Sequence, residues 1–248
     1  MTVQIKADGN ANLFGSLWMI AAMAVFAIED ALIKALSATL PMGQIMIIFG
    51  SFGAVLFALI ARSKGQSLRN PDVLSKPMRI RVGFEITGRL FYFLALALIP
   101  LSAATVILQA TPLVVVAGAA IVFGEQVGWR RWTAIFIGLA GVLIILQPGS
   151  DGFSALSILA VIGMLGFAGR DLASRAAPAS LSATVLGVYG FLAVVVAGVA
   201  FALWDQAPFV RPDSQTATYL LGAIVAGVAA YTCLMTAMRT GDVSAVTP

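Results

Sequence analysis

The chain has 248 residues, 60% of them hydrophobic and only 10% charged, with a mean hydropathy of +0.99 and a formal net charge of +4. A water-soluble domain carries about 25% charged residues, so this composition excludes a globular protein whose polar coat faces water. One cysteine, Cys233, and no histidine exclude an intrachain disulfide, His-based zinc sites and His-assisted nucleophilic catalysis.

Crossing the hydrocarbon core of a bilayer takes about 20 consecutive apolar residues. In chain order, such runs predict helices over residues 13–35, 41–61, 80–99, 102–123, 131–147, 153–173, 181–203 and 217–238. A ninth begins at Val243 and meets the last residue, Pro248. The polar residues before the first run lack the basic start and cleavage pattern of a signal peptide, and the run itself carries acids at its far end, so it reads as a retained span. Spans of this kind are helical because lipid offers no partner to backbone polar groups.

Loop charges set an orientation. Arg62, Lys64, Arg69, Lys76, Arg79 and Arg81 lie between the second and third runs against one acid, Asp72, and Lys6, Arg130, Arg131, Arg175 and Arg239 fall on the same side. Lys34 and Arg211, with Asp151, Asp205 and Asp213, fall on the other. Basic loops stay cytoplasmic, which predicts a cytoplasmic N-terminus in the inner or plasma membrane. It also accounts for the positive charge without nucleic acid. Trp129, Trp132 and Trp204 read as interfacial anchors.

Two stretches repeat. Phe26-Ala27-Ile28-Glu29-Asp30-Ala31-Leu32-Ile33-Lys34 in the first run matches Phe167-Ala168-Gly169-Arg170-Asp171-Leu172-Ala173-Ser174-Arg175 in the sixth. A second echo links residues 97–112 with residues 237–248. The repeat unit is about 140 residues and holds five spans. An odd number makes the second copy enter the membrane inverted, an architecture of secondary transporters whose site lies between the halves. The predicted fold is therefore an all-α integral membrane protein with a ten-span, 5+5 inverted repeat. Residues 1–148 form the first repeat; residues 149–248 form the second, with eight full spans and the start of a ninth in the chain. Completing the second copy would take roughly 35–40 further residues.

The paired F-A-x-x-D-x-x-x-basic elements carry a family resemblance. So do Ala103-Ala104-Thr105 through Thr111-Pro112-Leu113, then Phe123-Gly124-Glu125 and Trp129, and Gly241-Asp242-Val243-Ser244-Ala245-Val246-Thr247-Pro248. On these residues the chain resembles the EamA branch of the drug/metabolite transporter superfamily. That resemblance implies ten spans in two inverted halves, a central cavity and alternating-access transport of small metabolites. Two features depart from the family pattern. A second F-G-E element and a tenth span are absent, and many relatives carry an arginine near where this chain has Phe49-Gly50.

Charges inside spans are costly and mark functional positions. Glu29, Asp30, Lys34, Glu85, Arg89, Arg170, Asp171 and Arg175 lie within or near the runs. Asp30 with Lys34, Glu85 with Arg89 and Asp171 with Arg175 stand at i,i+4, acid first, which predicts local pairing. Glu85 and Arg89 lead as cavity-lining groups, with a structural ion pair as the other reading of both. Glu29 and Arg170, equivalent in the repeat and opposite in sign, are candidates for gates on the two faces. Lys34 and Arg175 read as interfacial. Tyr92 shares the face of Arg89 and could stack a substrate ring, and Tyr231 is its looser counterpart. Gln109, Trp18 and Tyr189 are further cavity candidates. Pro112, and Pro248 in the second copy, free a backbone carbonyl and are candidate hinges. Ala134, Gly138 and Gly141 read as helix contacts.

The predicted function is secondary transport of a small polar metabolite, such as an amino acid or a related compound. No metal, cofactor or catalytic residue is expected. An intramembrane enzyme or a non-transporting scaffold or sensor is the other reading. An enzyme would want a nucleophile with its base, and a scaffold has no need of balanced charges in its spans. The partners are a small-molecule substrate and the bilayer, and a homodimer is left open.

Overall fold

The computed structural model describes residues 9–124, 128–146 and 155–240. No strand occurs among the described residues. The helices in chain order are α1 (Gly9–Leu36), α2 (Met42–Ser63), α3 (Lys76–Leu98), α4 (Leu101–Leu108), α5 (Thr111–Phe123), α6 (Trp129–Leu146), α7 (Ser157–Arg175), α8 (Ala183–Asp205) and α9 (Ser214–Thr240). A short 3-10 turn, Pro71–Leu74, precedes α3, and its first turn is capped by the side chain of Asn70.

The bundle is apolar on its outside. Leu192, Val196, Val199 and Leu203 recur at helical spacing along α8 and are exposed, as are Phe52, Val55 and Leu59 on α2 and Leu221 and Val225 on α9. Water would penalise such a surface, whereas hydrocarbon does not. Among the described residues, six segments are long and apolar enough to cross a membrane: most of α1, α2, α4 with α5 taken together, α7, α8 and most of α9. The expectation of eight full spans is therefore not met by length and composition. Two helices account for the difference. The 23-residue α3 carries Lys76, Arg79, Arg81, Glu85 and Arg89, and the apolar part of α6 is short, residues 132–141. The expected ninth span lies outside the described residues.

The fourth predicted run is two helices. Pro112 has no N–H for the carbonyl of Leu108, four residues back, so the ladder breaks there. The hydroxyl of Thr111 donates to that carbonyl at 2.5 Å, and Ala110 N–H turns to Ile107 O at 3.0 Å. Gly124, which ends α5, has φ of 66°, a left-handed backbone that glycine adopts without steric cost.

Three pairings dominate the packing: α1 against α9, α2 against α8, and α3 against α7. Small residues allow the closest approaches. A Cβ on Gly166 of α7 would lie 2.5 Å from the Cα of Gly88 on α3, so the two backbones touch. Between α2 and α8, Phe191 stands 5.2 Å from Phe49 and 5.6 Å from Phe57, ring centre to ring centre. The α8–α9 connection is pinned by the amide of Gln44, which donates to Val210 O at 2.7 Å and accepts from Val210 N at 2.8 Å. Asp213 caps α9 by accepting from Thr216 N at 2.8 Å, and its bonds to Thr216 hold its carboxyl below the ordinary range. Of the expected small-residue contacts on α6, Gly138 packs closely on Leu113, whereas Ala134 is exposed and the space beside Gly141 is open.

Candidate functional site

Polar chemistry in the bundle starts from α3. Arg81, Glu85 and Arg89 follow one another at i,i+4 and share a face, with Tyr92 one turn further, and all four are buried. Glu85 is the hub. Its Oε1 accepts from Arg89 Nε at 3.3 Å and from Arg170 Nη1 at 3.5 Å, and its Oε2 accepts from Arg81 Nη2 at 3.4 Å. Arg89 also donates to Glu29 Oε1 at 3.1 Å, and Arg170 to Asp171 Oδ1 at 2.8 Å. Arg81 donates further to Ser174 Oγ at 2.9 Å and to the hydroxyl of Tyr231. Isolated charges could not be held in this interior, and each is tolerated because it is bonded to a partner. The network joins α1, α3, α7 and α9.

Aromatic rings close around it. The Arg89 guanidinium lies 6.0 Å from the ring centre of Phe49, 5.6 Å from Phe93 and 5.5 Å from Phe167, and Arg170 lies 4.9 Å from Phe167. Ring faces attract cations, so Phe167 links the two guanidiniums. Phe49, near where many relatives are expected to carry arginine, here packs against one.

A cavity of about 450 Å³ opens beside the network. Its polar wall includes Asp30, Arg89, Tyr92, Gln109, Arg170 and Asp171, and its apolar wall includes Met19, Met23, Phe26, Phe167 and Pro112. Volume and lining suit a small organic ligand: mostly apolar, with a few placed polar groups. Tyr92 donates its hydroxyl to Asp30 Oδ2 at 2.7 Å. Among the described residues, no group of three or more Cys, Asp or Glu side chains could hold a metal ion.

Of the predicted site residues, the structure thus brings Asp30, Arg89, Tyr92, Gln109, Arg170, Asp171 and Pro112 to one cavity. It seals Glu29 and Glu85 into the network next to it, so Glu85 is an ion-pair hub and not a wall residue. Tyr231 serves Arg81, and Tyr189 donates to Leu68 O at 3.1 Å; neither lines the cavity, nor does Trp18. Pro248 lies outside the described residues. The predicted Glu85–Arg89 pair forms. Asp30 instead takes the hydroxyl of Tyr92, and Asp171 takes Arg170. The ammonium of Lys34 donates to Ile99 O at 2.9 Å and to Ala97 O at 3.3 Å, capping the end of α3. Arg81 is the residue that sequence reasoning misplaced. It counted as a loop charge, but its side chain is fully buried. Its i,i+4 spacing to Glu85 was the available signal.

The match to known proteins is consistent with this arrangement. The model of the EamA-like transporter family matches residues 13–147. The chain belongs to the EamA family. Within it, the chain is 32% identical over 219 residues to the pseudopaline exporter CntI of Pseudomonas aeruginosa, covering 85% of this chain and 72% of that protein. It is 28% identical over 250 residues to a riboflavin transporter of Rhizobium johnstonii, covering 98% of this chain and 80% of the relative. A protein crystal structure superposes with a TM-score of 0.69 at 21% identity, over 94% of this chain and 82% of the other, which shows the fold. This EamA protein is thus a multi-pass helical membrane protein of a transporter family, and small metabolites are the class its relatives move.

Proposed function

We propose that this EamA protein is a secondary transporter that carries a small polar metabolite, an amino acid or related compound, through the cavity by alternating access. One observation carries the reading. The cavity is walled by α1, α3, α4 and α5 from residues 1–148 and by α7 and α9 from residues 149–248. A site shared by two halves can be exposed to either side as they rock.

The helix pairings support a two-fold relation between the halves, which the odd number of spans in the repeat makes an inverted one. The repeat equates α1 with α7, α2 with α8 and α3 with α9. Under that exchange the α1–α9 pairing becomes α7–α3, and α2–α8 becomes itself, so the observed set maps onto itself. Phe26 and Phe167, and Asp30 and Asp171, meet in one cavity as equivalent pairs. The full 5+5 architecture extends this pattern, with the α4–α5 break at Pro112 as the hinge and Pro248 as its counterpart. The basic residues Arg62, Lys64, Arg69, Lys76 and Arg79 are exposed at one end of the bundle, which supports a cytoplasmic N-terminus in the inner or plasma membrane.

The named cargoes of the two relatives, pseudopaline and riboflavin, differ from each other, so the substrate is to be found by screening. A thermal-shift screen of amino acids and related metabolites on purified protein supplies ligands. Counterflow of each labelled hit in proteoliposomes is expected to be saturable and to be lost in Ala27→Trp, which fills the cavity. A hit that binds in an Ala27-sensitive way yet never crosses the membrane would overturn transport.

A further inference from the structure

Among the described residues, four carboxylates and three guanidiniums are buried in the centre of the bundle: Glu29, Asp30, Glu85 and Asp171 against Arg81, Arg89 and Arg170. The bonds assign partners. Arg81 and Glu85 are bonded at 3.4 Å, Arg89 and Glu29 at 3.1 Å, and Arg170 and Asp171 at 2.8 Å. Asp30 is the remainder. The bond described for it comes from a neutral donor, Tyr92, and Asp30 lines the cavity together with Phe26, Tyr92 and Phe167. A buried carboxylate is stable only with a compensating positive charge. Here the space from which one could come is the cavity itself.

We propose that Asp30 is the recognition point for a cationic group of the transported molecule, an ammonium or similar organic cation whose apolar body lies against the Phe26, Phe167, Met19 and Met23 wall. This deepens the transport reading and rests on it. The surrounding charges agree with the assignment. Glu29 on the same helix is bonded to Arg89, and Lys34 is committed to the end of α3. From α3 come Tyr92 and Arg89; Arg170 and Asp171 face the cavity from α7 as a bonded pair; α9 contributes Leu234 to the wall. A cation at Asp30 therefore makes the set neutral. In its absence a proton on the carboxyl does the same, so one proton leaves Asp30 as one monovalent cation arrives.

The test uses benzyltrimethylammonium and its uncharged isostere neopentylbenzene, titrated into the purified full chain in neutral detergent. The cation is expected to bind at least about tenfold more tightly than the isostere, because their difference is one charge facing a desolvated carboxylate. Asp30→Asn, which keeps an acceptor for Tyr92, is expected to erase that preference while leaving neopentylbenzene binding unchanged. In the wild type, acidification is expected to weaken the cation and spare the isostere, a readout that holds even if Asp30→Asn fails to fold. Equal affinities for the two probes in the wild type, or an unaltered preference in a folded Asp30→Asn, would overturn the proposal. Failure of transport with intact, Asp30-dependent cation binding would instead remove the transporter reading and keep the site.

Discussion

The two copies of the repeated element, on α1 and α7, start from nearly the same residues and end in different chemistry. Each offers a phenylalanine and an aspartate to one cavity. On α7 the residue before the aspartate is Arg170, and the aspartate is bonded to it at 2.8 Å. On α1 that residue is Glu29, which is bonded to Arg89 on another helix and leaves Asp30 to a tyrosine hydroxyl. The basic ends diverge as well: Lys34 caps the carbonyls of α3, whereas the guanidinium of Arg175 lies 5.2 Å from the ring of Phe123. The difference of sign at that one position goes with different partners: Asp171 is paired with a cation on its own helix, and Asp30 is not. Duplication supplies equivalent positions, and the neighbours decide what each does.

Substitutions can break this contrast. The largest effect is expected from Asp171→Asn, which removes the negative charge beside the buried Arg170 and leaves Glu85, at 3.5 Å, as its carboxylate partner. A loss of about 3 kcal/mol or more is expected, read by thermal or denaturant unfolding in detergent. A cost similar to that of the Asp30 substitution would contradict the division of roles. Next comes Gly166→Ala. Its new methyl has no room against Gly88, so α3 and α7 must separate at a cost of about 1–3 kcal/mol, with the network that both helices hold loosened at the same time. Thr111→Val removes the hydroxyl from the Leu108 carbonyl and should cost about 1 kcal/mol. It should also alter transport if the α4–α5 break is the hinge, which a counterflow assay would show. The smallest effect on stability is expected from Asp30→Asn, less than about 1 kcal/mol, since the amide still accepts from Tyr92 and no ion pair is broken. Unfolding of that variant to the extent seen for Asp171→Asn would erase the distinction between the copies.

The helices were legible in the sequence because lipid leaves so few alternatives, and the observed boundaries lie within a few residues of the apolar runs. Two features were not. The fourth run reads as continuous because Leu101 to Phe123 is apolar on both sides of the break; Pro112 signalled the interruption, but not that Thr111 would satisfy the freed carbonyl. Arg81 was assigned to a loop because it stands near the polar start of α3. Its burial depends on Ser174 and Tyr231, 93 and 150 residues away in sequence, and no local pattern reports them. The cavity residues were better foreseen, since charge inside an apolar run is itself the signal. What the run could not give was the pairing, and with it which carboxylate is left over.

The charges of α3 carry a consequence for how the protein is made. A charge at the centre of a span opposes insertion by about 2.5–3.5 kcal/mol, so Glu85 and Arg89, with Arg81 one turn nearer the start of α3, make this a helix that a bilayer alone would resist. Glu29 on α1, which pairs with Arg89, is made before α3, but Arg170 on α7, which pairs with Glu85, is synthesised much later. During synthesis, therefore, α3 has either to stay at the insertion machinery or to lie at the membrane surface until α7 emerges. The helix at the centre of the finished bundle is, in biogenesis, among the last to settle.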